Sequence, residues 1–117
     1  KLIKSEKLDT LPILGYSGDD IIEVDPNDVH CFFIEGKKLY AAMDGRTLLI
    51  KHRLYELESL LDQGFIKINQ STLANIKKIE RFSVSIGAAL TVHFKCGRKD
   101  YVSRRQVKYV KERFGIK

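Results

Sequence analysis

Short apolar runs, broken at close intervals by Gly, Asp and Asn, dominate the first fifty residues. "LPILGY" and "DIIEV" straddle "SGD", which predicts a β-hairpin with Gly18 supplying the positive φ of its turn. "DPND" at 25–28 reads as a turn, with Pro26 fixing an early turn position. "VHCFFIE" is apolar at successive positions, so it predicts a central strand covered on both faces. Asp44-Gly45 between "LYAAM" and "RTLLI" is the strongest hairpin signal in the chain.

The period then changes. Leu54, Leu57 and Leu61 fall at i, i+3, i+7 with Leu60 beside them, predicting a short amphipathic helix over 53–62 that ends by Gly64. "KIERFSVSI" and "ALTVHFK" alternate around Gly87 as a further hairpin, and "CGRK" turns the chain into the short strand "DYV". In "SRRQVKYVKERF", Ser103 and Gln106 have the spacing of a capping box at the start of a C-terminal helix. Val107, Val110 and Phe114 make its apolar face, and Arg104, Lys108 and Lys111 point outward. The expected fold is mainly β, with one helix mid-chain and one at the C-terminal end.

One segment resists this scheme. "FIKINQSTLANIKKI" at 65–79 begins like a strand, turns polar at Asn69, Gln70 and Ser71, and resumes with apolar residues. Phe65, Ile68, Leu73 and Ile76 would anchor it, so it reads as a rigid loop presenting polar groups.

At 117 residues the chain suits one domain with its own core, taken as 11–117 after a polar lead-in over 1–10. Its start at Lys1 rather than Met leads us to expect a piece of a longer protein. No apolar run reaches 18 residues and no secretory signal is visible, so a cytoplasmic location is expected. Cys31 and Cys96 lack CxxC spacing and read as reduced thiols; His30, His52 and His93 lack metal-ligand spacing, and no cofactor is expected. Charge alters the picture more. Residues 1–64 carry a net −4 and residues 65–117 a net +10, which predicts one positive surface and a polyanionic partner.

Catalytic chemistry finds no support: Ser71 and Ser103 lack a nucleophile-elbow context, and "GKK" at 36–38 lacks phosphate-loop spacing. No enzyme is expected. Nucleic-acid binding fits better. Asn69, Gln70 and Ser71 suit base edges, and Arg104 and Arg105 stand at a helix start, where backbone N–H groups attract phosphate. Cations there oppose the helix dipole, which hints at function. The alternative is a basic β-rich module docking an acidic protein or an anionic membrane surface. RNA binding is a further rival, disfavoured because the five tyrosines are scattered rather than gathered into a stacking platform.

"GFIKINQSTLANIKKI", followed later by "YVSRRQVKYVKERFG", resembles the LytTR family of bacterial DNA-binding domains. The helix "RLYELESLL" and the strand "FFIE" stand where that family has their counterparts, so the resemblance covers about residues 11–115. It implies an elongated, mostly-β fold in a transcription regulator, usually the output domain of a two-component response regulator and sometimes a short stand-alone protein. It also implies loops, not a recognition helix, entering successive major grooves of double-stranded DNA at repeated promoter sites. A homodimer on DNA, and control by a receiver domain or a membrane protein, are partners it leaves open. By matching position, Lys37, Gln70 and Arg105 would reach bases, and by position and chemistry Lys67, Ser71, Lys77 and Arg104 would contact phosphates.

Overall fold

In the computed structural model, which describes residues 12–116, ten strands and two helices form largely where the apolar periodicity asks for them. The lead-in expected over 1–10 lies outside the described residues. Strands β1 (Ile13–Ser17) and β2 (Asp20–Val24) form the first hairpin. Strands β3 (Cys31–Glu35), β4 (Lys38–Met43) and β5 (Arg46–Ile50) continue as a meander. Helix α1 (Leu54–Leu60) follows, then the hairpin of β6 (Phe65–Asn69) and β7 (Thr72–Asn75). These seven strands make one antiparallel sheet in the order β2-β1-β5-β4-β3-β7-β6. Strands β8 (Ile79–Val84), β9 (Leu90–Phe94) and β10 (Lys99–Val102) form a second sheet, and helix α2 (Arg104–Phe114) closes the fold.

Two cores explain the layering. Alternation along β3 sends Phe32 to one face of the large sheet and Phe33 to the other. On the first face Phe32, Leu39, Leu48 and Leu73 pack against Leu54 and Leu57 of α1, with Ile13 and Val24 of the first hairpin. The close approach of that hairpin requires Gly15, where a Cβ would stand 2.7 Å from Leu48 Cδ1. On the second face Cys31, Ile66, Ile68 and Ala74 meet Leu90, Val92 and Phe94 of the small sheet and Val110 of α2. The central strand expected over "VHCFFIE" thus forms, as Cys31–Glu35, for the physical reason given.

Two details differ from the sequence reading. Helix α1 ends at Leu60 with Leu61 as its cap, so Gly64 belongs to the following turn. The capping box at α2 does not form. Ser103 makes no side-chain cap bond, and Gln106 Nε2 instead donates to the Lys67 carbonyl at 3.0 Å. The glutamine spends its amide on tertiary contact, fastening α2 alongside β6.

Candidate nucleic-acid interface

Strand register decides which turns share an edge. Leu39 pairs with Ile50, Glu35 with Lys38, Phe33 with Thr72, and Asn69 with Thr72. The Ile34 N–H also reaches the Ser71 carbonyl at 2.9 Å. The Gly36-Lys37 turn therefore stands beside the Gln70-Ser71 turn, at the edge where β5 leaves the sheet. Their midpoints lie two strand spacings apart, about 10 Å. On the other flank the Ser103 N–H donates to the Ile68 carbonyl at 2.9 Å, which sets the start of α2 next to the tip of β6. Three segments distant in sequence thus line up on one edge.

Each is held differently. Gly36 and Lys37 have φ of 60° and 67°, the positive pair a two-residue type I′ turn demands. A lysine in the left-handed region costs roughly 1 kcal/mol or more relative to glycine, so its presence points to use of the side chain. Neither Gln70 nor Ser71 has positive φ. Their turn is instead made by Asn69, whose Oδ1 accepts from the Ser71 N–H at 2.8 Å, beside a bulge between Lys67 and Asn69. The Asn69 amide donates to the Tyr101 carbonyl at 2.8 Å and to Asp100 Oδ1 at 3.3 Å. Asp100 also accepts from Thr72 Oγ1 at 2.7 Å and from the Tyr101 N–H at 2.8 Å. This network joins the loop to β10 and so to the helix that follows.

The candidate residues divide accordingly. Lys37, Gln70, Ser71, Arg104 and Arg105 are exposed together on the shared edge. Asn69 is only 2% exposed and its side chain is fully bonded, so the structure makes it the brace of the loop rather than a group facing outward. Lys67 is half-buried on β6, its carbonyl taken by Gln106. Lys77 stands at the opposite end of the β6–β7 hairpin, with Nζ 3.3 Å from Asn27 Oδ1, and is not brought to the edge. Four residues of β7 separate it from the Gln70-Ser71 turn, about 15 Å of extended chain.

The sequence reading also missed groups behind the edge. Arg98 lies over the Phe33 ring at 3.7 Å, and Asp100 anchors the loop. A signal for Asp100 existed: it is the single acid between Glu80 and Glu112 in the basic half of the chain. Ser103 leaves its helix without a side-chain cap; its carbonyl takes the N–H groups of Gln106 and Val107, which leaves those of Arg104 and Arg105 at the open start of α2. Among the described residues no cluster of His, Cys, Asp and Glu could hold a metal, and no helix is long and apolar enough to cross a membrane.

Residues 19–115 match the family described as the LytTr DNA-binding domain. An uncharacterised HTH-type transcriptional regulator of Staphylococcus aureus strain NCTC 8325 is 33% identical over 104 residues, covering 89% of this chain and 71% of that protein. Its counterpart in strain MRSA252 matches with the same identity and coverage. In fold, the chain is similar to a LytTr DNA-binding domain from Bacillus cereus, with a TM-score of 0.83 at 22% identity over 91% of this chain and 99% of that one.

Proposed function

The chain belongs to the LytTR family of DNA-binding domains, and on that premise we propose that the edge formed by Lys37, Gln70-Ser71 and Arg104-Arg105 grips double-stranded DNA in a transcription regulator. The observation that carries this reading is convergence. Strand register aligns the two turns, the Ser103–Ile68 bond sets the start of α2 beside them, and each of these three segments presents an exposed group suited to bases or phosphates. Two turns about 10 Å apart fit along a major groove roughly 12 Å wide. Gln70, at the exposed tip, can bond adenine bidentately, and Arg105 can do so with guanine. Ser71, Arg104 and Lys67 then neutralise or bond phosphates, and Asn69 fixes the loop from behind.

The start of α2, rather than its flank, is the part that approaches DNA. Arg104 and Arg105 oppose the dipole there by roughly 0.3–1 kcal/mol each, and a bound phosphate reverses that cost while accepting from the free N–H groups. Val107, Val110 and Phe114 pack against the second core, which keeps the helix from lying lengthwise in the groove. Charge alone would draw an acidic protein or an anionic membrane; the exposed amide at the tip of a braced turn is the feature that favours DNA, whose base edges it can pair with bidentately.

No side chain on this edge needs a cofactor or a catalytic partner, so the role proposed is binding without chemistry. The family resemblance adds two copies on repeated sites, and control by a receiver domain or a membrane protein, to the same proposal. Selection of duplexes from a randomised pool, followed by binding at two salt concentrations, tests the reading. Recovery of a recurring sequence with steeply salt-dependent affinity is expected; recovery of random duplexes bound no better than the starting pool would refute it. Sedimentation of the complex counts the copies bound.

A further inference from the structure

We propose that the corner between β5 and α1, Lys51-His52-Arg53 together with Lys38, is a phosphate-binding ledge that extends the DNA footprint past the Lys37 turn. This rests on the DNA-binding reading above and adds a surface to it. Four of the five Lys and Arg residues between 12 and 64 stand at this corner: Lys37, Lys38, Lys51 and Arg53. Among the described residues, the acidic half of the chain thus gathers most of its cations beside the proposed interface. Together with His52 they line a shallow cleft over an aliphatic floor that includes Leu39 and Leu54.

The corner is rigid. Glu56 Oε1 accepts from the Arg53 N–H at 2.8 Å and lies 3.5 Å from His52 Nδ1, so one carboxylate holds the Arg53 backbone and stands beside the His52 ring. Arginine has no acceptor, so only the glutamate half of a capping box forms here. Leu54 and Leu57 bury the helix immediately behind it. The Lys51 Nζ rests 4.3 Å from the centre of the Tyr16 ring, which limits its freedom before any ligand arrives. Among the described residues no acidic side chain is paired with Lys37, Lys38, Lys51 or Arg53.

Register supplies the direction. Leu39 pairs with Ile50, so Lys51 follows β5 off the same edge from which the Lys37 turn projects. The corner lies about one and a half strand spacings beyond that turn, roughly 7 Å, or two phosphate steps along a strand. It sits on the side away from Gln70 and Arg105. Lysines are point charges that read little sequence, so the ligand that fits is the sugar–phosphate backbone flanking the bases that the turns contact.

The probe is a 40-bp duplex recovered by the wild-type protein from a randomised pool, with versions trimmed on either side of the recovered core. Lys51→Gln/Arg53→Gln should lower the slope of log affinity against log salt by about two units on the long duplex, with no change of melting temperature. Trimming one flank, and only one, should bring the wild type down to the variant's affinity while costing the variant nothing more. Lys38→Gln gives a smaller loss of the same kind and leaves the Lys51–Tyr16 contact intact. An unchanged slope, or a loss independent of which flank is trimmed, overturns the ledge. If Gln70→Ala and Arg105→Ala weaken binding while the corner variants do not, the ledge alone fails. If the wild type prefers no duplex, the DNA-binding reading fails with it.

Discussion

Replacing Asn69 by alanine separates the brace of the loop from its readers. The side chain is 2% exposed and makes three hydrogen bonds: to the Ser71 N–H, the Tyr101 carbonyl and Asp100 Oδ1. Alanine removes all three. Ser71 is exposed, so water can take up its N–H at little cost. The Tyr101 carbonyl and the Asp100 carboxylate lose a donor in a half-buried setting, which costs about 1–3 kcal/mol. Taking about 2 kcal/mol, and about 4 °C per kcal/mol for a domain of this size, the melting temperature should fall by about 8 °C. Asn69→Asp should fare no better: it keeps the acceptor for Ser71 but sets a carboxylate against the Tyr101 carbonyl and Asp100. The assay pairs thermal denaturation with DNA affinity for Asn69→Ala and Gln70→Ala. Gln70 is exposed at the tip, so its removal should leave the melting temperature within about 2 °C while lowering affinity. A stable Asn69→Ala with lost affinity would show that Asn69 contacts DNA, and the brace assignment would be wrong.

The remaining predictions concern charge and the thiols. Lys37→Gln and Arg104→Gln should each reduce the salt slope by about one unit, whereas Lys77→Gln, at the far end of its hairpin, should leave the slope unchanged. Cys31 is buried, and burial pushes its thiol up from 9.0 to about 12, so alkylation at pH 8 followed by mass spectrometry should label exposed Cys96 and spare Cys31. The same shift sets a pH dependence of stability. Cys31 favours the folded state fully below pH 9, and that contribution declines above it as the unfolded thiol ionises first; denaturant titrations of the wild type and Cys31→Ala at pH 7 and pH 10 measure the difference.

Most of the fold was legible because period and turn chemistry are local. Asp44-Gly45 marked a hairpin that forms with Met43 opposite Arg46, and the leucine spacing at 54–61 marked the short helix. The edge was legible in part. Gln70, Ser71, Arg104 and Arg105 were marked by polarity between anchors and by cations at a helix start, and the fold exposes all four. The inward placement of Asn69 was not legible, because an asparagine beside a turn looks the same in sequence whether its amide faces solvent or the interior. Only the placement of Asp100 and Tyr101, some thirty residues later, turns it inward. The separation of Lys77 from the edge was not legible either, because hairpins defeat proximity arguments: seven residues after Gln70 the chain has run to the other end of the sheet. The Gln106 amide followed a tertiary partner, the Lys67 carbonyl, where local spacing pointed to a cap.

The central claim is that the edge made by the two turns and the start of α2 reads DNA. The most direct test is the affinity of Arg105→Ala and Lys111→Ala, each on the selected duplex and on a scrambled duplex of equal length. Six residues of helix put Lys111 about 9 Å along α2 from Arg105, away from the edge. Arg105→Ala should cost about 1–3 kcal/mol on the selected duplex and little on the scrambled one, while Lys111→Ala stays close to the wild type on both. Equal losses, or a larger loss for Lys111→Ala, would mean that the helix docks along its length and that the proposed edge is not the reading surface.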